Sequence, residues 1–118
     1  MNTADWINTA KRDLRVAKYT LKGGLYEAAA FFAQQTAEKA LKAVLLSKGS
    51  ELVKTHDVVR LAQWCGAPQE IVLASALLNP AYVSTRYPDS FVKLVIAREA
   101  RALVSAAMEV LAWSKKNC

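Results

Sequence analysis

The chain has a single histidine, His56, and only two cysteines, Cys65 and Cys118. A structural zinc site takes four nitrogen or sulfur ligands, so this inventory excludes one. The cysteines sit at no spacing that marks a metal or redox motif, and they read as one semi-buried thiol and one terminal thiol. Long apolar runs are missing as well. No uncharged stretch approaches the ~20 residues that a spanning helix needs, which predicts no membrane association. Asp5 and Trp6 stand where the apolar core of a signal peptide would begin, so the expectation is a cytoplasmic protein. Strand-like alternation, internal repeats, low-complexity segments and linkers are also lacking. What remains is one helical domain over residues 1–118, long enough to bury a core without disulfides or metals.

Helical periodicity is what the sequence has in quantity. Ile7, Ala10, Leu14, Ala17 and Leu21 recur in three- and four-residue steps, which predicts a bundle helix over 3–22 ended by Gly23 and Gly24. A second helix over 25–48 carries a stripe of Tyr26, Ala30, Ala33, Ala37, Ala40, Leu41 and Val44, and stops at Gly49. So many alanines let a neighbouring helix approach closely. Thr55 reads as the N-cap of a short helix with Val58, Leu61, Ala62 and Trp64, closed by Gly66. Pro68 suits the first turn of a helix over 69–78, which Asn79-Pro80 interrupts. A turn over 85–89 then leads to a last helix over 91–115, capped by Asp89 or Ser90. With Val92, Val95, Ile96, Leu103, Val104, Ala107, Val110 and Leu111 it is apolar on most sides. Such a helix lies centrally or against a second subunit, so a homodimer is expected. The predicted fold is all-α: an up-and-down four-helix bundle with one or two additional short helices.

Four short motifs are laid over this frame between residues 24 and 89: Gly24-Leu25-Tyr26, Gln35-x-x-Glu38-Lys39-x-Leu41-Lys42, Thr55-His56-Asp57 and Arg86-Tyr87-Pro88-Asp89. In this order, in a helical chain, they resemble the HEPN family (higher eukaryote and prokaryote nucleotide-binding domain). The resemblance implies a helical bundle, binding of a nucleotide, and pairing with a small nucleotidyltransferase encoded as a separate chain. It implies the substrate-binding half of such a pair, in a two-component system like those of toxins and antitoxins. The residues it points to for nucleotide or partner binding are Gln35, Glu38, Lys39, Lys42, His56, Arg86, Tyr87 and Asp89. HEPN ribonucleases carry an arginine followed after four to six residues by histidine. Counting from Arg86, those positions hold Phe91, Val92 and Lys93, while Arg12 and Arg15 lie too far upstream of His56. The expectation is therefore a non-catalytic protein with no cofactor beyond a nucleotide ligand.

The same residues can be weighed without the resemblance. On the second helix Gln35, Glu38, Lys39 and Lys42 fall within about 100° of one another, opposite the alanine stripe. That face reads as solvated and stitched by a Glu38–Lys42 pair. Alternatively, because Phe31 and Leu46 share it, the face is a contact surface with Glu38 and Lys39 near a partner seam. His56 stands at a helix N-terminus whose dipole Asp57 complements, and reads as a neutral ring bonded across to another helix. Arg86 is expected just outside the N-terminus of the last helix, where guanidinium and free N–H groups together suit a phosphate. The other use for it is an ion pair with Asp89 or Glu38.

The first helix adds a basic stripe, Lys11, Arg15, Lys18 and Lys22, spaced by four, three and four residues with no acid within it. Arg12 lies to one side, and Tyr19 is the one aromatic residue close by. The net charge of +6 and a pI near 9.5 favour a nucleotide, RNA or an acidic partner surface. Side chains snorkelling along the core edge are the plainer reading. A rival function is RNA binding, or a non-standard ribonuclease toxin in which His56 and Arg86 meet across the bundle.

Overall fold

Local rules set the ends of the first two helices. Helix α1 (Thr3–Lys22) opens on a reciprocal cap, in which Asp5 N–H donates to Asn2 Oδ1 and Asn2 N–H donates to the Asp5 carboxylate. It closes with Leu25 N–H on the Thr20 carbonyl and Gly24 N–H on that of Leu21, with Gly24 at φ +78°. That left-handed closure needs a residue without a side chain. Helix α2 (Tyr26–Ser47) closes the same way around Gly49 at φ +84°. The computed structural model describes residues 1–51, 53–86 and 95–118, and side chains among these except at 80–86. Three further helices complete it: α3 (Val58–Trp64), α4 (Gln69–Arg86) and α5 (Ala97–Asn117). Among the described residues every regular element is a helix, four of them long and one short, as the periodicity predicts. No helix there is long and apolar enough to cross a membrane.

The core is built on alanine. Ala10 and Ala17 of α1 and Ala29, Ala30, Ala33, Ala37 and Ala40 of α2 have no exposed surface. Their small side chains bring α1 and α2 together, and Leu41, Val44, Leu61, Leu78 and Val110 fill the space toward the other helices.

Four expectations are corrected. The helix buried on nearly all sides is α2, which packs against α1, α3, α4 and α5. By contrast α5 is amphipathic within one chain: Val104, Ala107, Val110 and Leu111 are buried while Arg101, Ala102, Ser105 and Met108 are exposed. Helix α5 also begins at Ala97 rather than residue 91, with Ile96 at the N-cap and no side-chain bond there. Helix α4 runs through Pro80 to Arg86 instead of breaking at Asn79-Pro80. An interior proline costs about 3 kcal/mol locally, but the adjoining turn is held by fully buried Leu78 and by Asn79. Asn79 spends its amide on α3, accepting from Val58 N–H at 2.8 Å and donating to Asp57 at 2.9 Å. The cap of α3 is accordingly Asp57, which accepts from Arg60 N–H, while Thr55 Oγ1 accepts from Asp57 N–H one step earlier.

Candidate functional site

The polar residues of α2 converge on a buried carboxylate. Glu38 is 5% exposed and Lys42 8% exposed, so these two side chains are covered within the single chain rather than solvated. Their i,i+4 geometry sets Lys42 Nζ 2.9 Å from Glu38 Oε2. The other oxygen, Oε1, accepts from Gln34 Nε2 at 3.1 Å and meets His56 Nδ1 at 2.9 Å. A carboxylate oxygen only accepts, so the proton of that contact belongs to Nδ1. Gln35 Nε2 in turn donates to Gln34 Oε1 at 2.7 Å. Burial by itself would raise the Glu38 pKa, but hydrogen bonds from His56, Lys42 and Gln34 outweigh it and hold the carboxyl below its usual range.

His56 arrives there because α3 is clamped to α4. The Asp57 cap and the Asn79 amide fix the start of α3, and the residue just before the cap reaches over to α2. The hydrogen bonds of Asn79 and Arg60 N–H also lower the Asp57 pKa against a small opposing effect of burial. The imidazole remains about half exposed, with 51% of its side chain open to solvent. One edge of the ring is thus oriented by a buried carboxylate while the ring itself stays near the surface.

Lys39 belongs to a second pair, on the α1 side of α2. Its ammonium meets Asp13, which is 2% exposed and which sequence reasoning missed. The signal was present: Asp13 falls on the side of α1 opposite the basic stripe, next to the apolar seam. The stripe itself is open. Lys11, Arg15, Lys18 and Lys22 are all exposed or half-buried at the surface, and none makes an ion pair among the described residues. Tyr19 beside them is 80% exposed.

The structure therefore brings Gln35, Glu38, Lys42 and His56 into one network, sets Lys39 apart with Asp13, and places the stripe on a separate helix edge. Arg86 is the last residue of α4, and its side chain lies outside the described residues. Tyr87 and Asp89 also lie outside them. Gln34 and Asn79 are the other residues that sequence reasoning passed over. Gln34 is one step before the motif glutamine, and Asn79 reads locally as a helix breaker.

Fold and polar network together define a helical-bundle protein with a buried acid–base cluster at the α2–α3 junction. The HEPN domain model matches residues 3–118. Among solved structures, TT1696 from Thermus thermophilus superposes with a TM-score of 0.90 at 31% identity, covering 100% of both chains. ST0689, an archaeal HEPN homologue, gives 0.85 at 34% identity over 98% of this chain and 97% of its own. A HEPN domain protein from Thermotoga maritima gives 0.78 at 27% identity over 95% of each. No functionally curated protein matches. The chain belongs to the HEPN family.

Proposed function

We propose that this HEPN chain is a non-catalytic, homodimeric binding subunit that engages a nucleotide and a separate small nucleotidyltransferase, in a pair of the toxin–antitoxin kind. The observation that carries the reading is the outer edge of α1. Four cations stand there in one row without an ion pair among the described residues. Like charges at i,i+4 spacing repel, and an anionic partner removes that cost. Nucleotide phosphates and an acidic protein face both supply such charge. The charges of the Glu38 cluster, in contrast, are already satisfied within the chain, and the sequence has no arginine–histidine ribonuclease pair at the family spacing.

The test is affinity capture from host lysate at moderate salt, with co-eluting protein and RNA both identified. It compares the native chain with a variant carrying Lys11→Glu, Arg15→Glu, Lys18→Glu and Lys22→Glu. The native chain should retain a nucleotidyltransferase and the variant should release it. A bound nucleotide at a hundred times its Kd should also stabilise the native chain by roughly 2.7 kcal/mol. Capture of no nucleotidyltransferase, or equal capture by both chains, sinks the reading.

One contact favours the rival. His56 is oriented by a buried carboxylate in the manner of a general base. RNA enriched without a protein partner, with metal-independent cleavage lost in His56→Ala, would establish the ribonuclease instead.

A further inference from the structure

The first turns of α1 and the last turns of α5 run antiparallel, and a cavity opens beside them where they end. Leu111 is buried with Ala10 and Ala40 at the edge of the core, and Ile7 packs against them. Lys115 stands one turn beyond Leu111 on nearly the same side of α5, and Cys118 caps that helix. On α1, Lys11 stands one turn after Ile7. Past the Leu111 contact the two helices enclose a space of about 570 Å³ that is open to solvent.

Two ammonium groups line this space, Lys11 from α1 and Lys115 from α5. Both are exposed, and neither makes an ion pair among the described residues. No aspartate or glutamate lines the cavity. Asp5, which is near in sequence, is spent on the α1 cap with Asn2. The negative end of the α5 dipole falls here too, and Lys116 in the same last turn offsets it. Ala4 and Ile7 supply an apolar wall. The Asn8 amide also lines the cavity and makes no hydrogen bond among the described residues, so both its donor and its acceptor are on offer.

We propose that this cavity seats a nucleoside monophosphate, its phosphate between Lys11 and Lys115 and its base against Ile7 within reach of Asn8. This deepens the nucleotide part of the reading above and rests on it. Arg15, Lys18 and Lys22, further along α1, stay open for the protein partner. Charge, size and polarity point to the same class of ligand. A phosphate monoester carries about −1.5 to −2 at neutral pH, which two ammonium groups match. Lysine acts on phosphate as a point charge, so convergence from two helices takes the place of a bidentate fork. Small-molecule sites run about 300–1,000 Å³, with apolar walls and a few placed polar groups. A bare phosphate would leave most of this volume to water, and a triphosphate would bring more charge than two lysines neutralise.

Cys118 makes the site readable, because this exposed residue lines the same cavity. The test follows its alkylation in the intact chain by iodoacetamide, a neutral reagent, with AMP, GMP, CMP or UMP present. Inorganic phosphate and adenosine serve as comparisons. At ten times its Kd a seated monophosphate should slow the reaction about tenfold, since only the free fraction reacts. Phosphate or adenosine at the same concentration should slow it less than about twofold. Rates are read as the ratio with and without ligand, so a change in thiol reactivity caused by a substitution cancels. Lys11→Gln and Lys115→Gln should each weaken the Kd roughly 10- to 100-fold, the effect of losing one charged hydrogen bond. Lys116→Gln, one residue along and outside the cavity, should leave it nearly unchanged. Equal protection by inorganic phosphate overturns the nucleoside and leaves a plain anion site. Calorimetry with the same four monophosphates separates this seat from the reading it rests on. Binding that does not protect Cys118, or that Lys115→Gln does not weaken, removes the seat and leaves the nucleotide bound elsewhere. No binding of any of the four removes the seat and the nucleotide part of the proposed function together, while lysate capture still decides the protein partner.

Discussion

Glu38 carries more of the structure than any other polar residue, because three donors converge on a carboxylate that is 5% exposed. Taking a carboxylate and an ammonium out of water is unfavourable, and only the full set of hydrogen bonds offsets it. Removing one partner leaves the other charged and buried. Glu38→Ala should therefore destabilise the fold by about 3–5 kcal/mol in urea unfolding, while replacing Glu38 and Lys42 together with leucine and methionine should recover most of the loss. The linkage sign follows from the lowered pKa. The folded carboxyl titrates below the ordinary 4.5, so its stabilisation is fully present above that value and is lost as pH falls through the lower folded one. Urea midpoints between pH 6 and pH 3 should decline below about 4.5, and Glu38→Gln should flatten that decline. An unchanged slope in Glu38→Gln would place the acid sensitivity on other carboxylates.

At the scale of the elements, what sequence makes legible is whatever a local rule decides. The bounds of α1 and the stops at Gly24 and Gly49 follow from caps and from glycine, with no reference to the rest of the molecule. Gly49 tests this cleanly, since a β-carbon added there would meet nothing within 4 Å and only the left-handed backbone opposes it. Gly49→Ala should cost about 1–2 kcal/mol of unfolding free energy, and a value near zero would mean that the turn relaxes freely. What sequence hides is whatever a distant partner decides. Asn79-Pro80 carries a local breaking signal, and tertiary packing of Leu78 and Asn79 overrides it. The Gln35–Glu38–Lys42 face has the polarity of a solvated surface. It is buried because α3 and His56 close over it, and no periodicity within α2 can announce that. Gln35, Glu38, Lys42 and His56 share one network, while Asp13, Gln34 and Asn79 became visible only once the helices were placed together. The apolar excess assigned to α5 is likewise a misplaced reading of a property of the α4–α5 pair.

For the whole molecule, Cys65 reports on the integrity of the packing. It closes α3 against the middle of α2, is 2% exposed, and its thiol donates to the Leu41 carbonyl at 3.3 Å. Burial pushes the thiol up to about 11, against a smaller downward pull from Lys48. The thiolate is the reactive form, so Cys65 in the folded chain is shielded both sterically and chemically. Cys118 is exposed at the chain end. Partial burial raises the Cys118 pKa too, but its side chain is open to solvent, so a thiol reagent at pH 8 should modify Cys118 first, and Cys65 only at the rate at which the bundle opens. Rapid modification of both thiols would show that α3 detaches without global unfolding. The raised pKa also contributes a loss of stability on the alkaline side. An ordinary thiol near 9.0 ionises first in the unfolded chain, so the contribution of Cys65 is intact below that pH and is lost as pH climbs toward 11. Two pH units correspond to about 2.7 kcal/mol at most. Urea unfolding at pH 8 and pH 10.5 should show part of that loss in the native chain, and Cys65→Ala should abolish it if this thiol is its source. A loss of equal size in both chains would show that Cys65 is not its source.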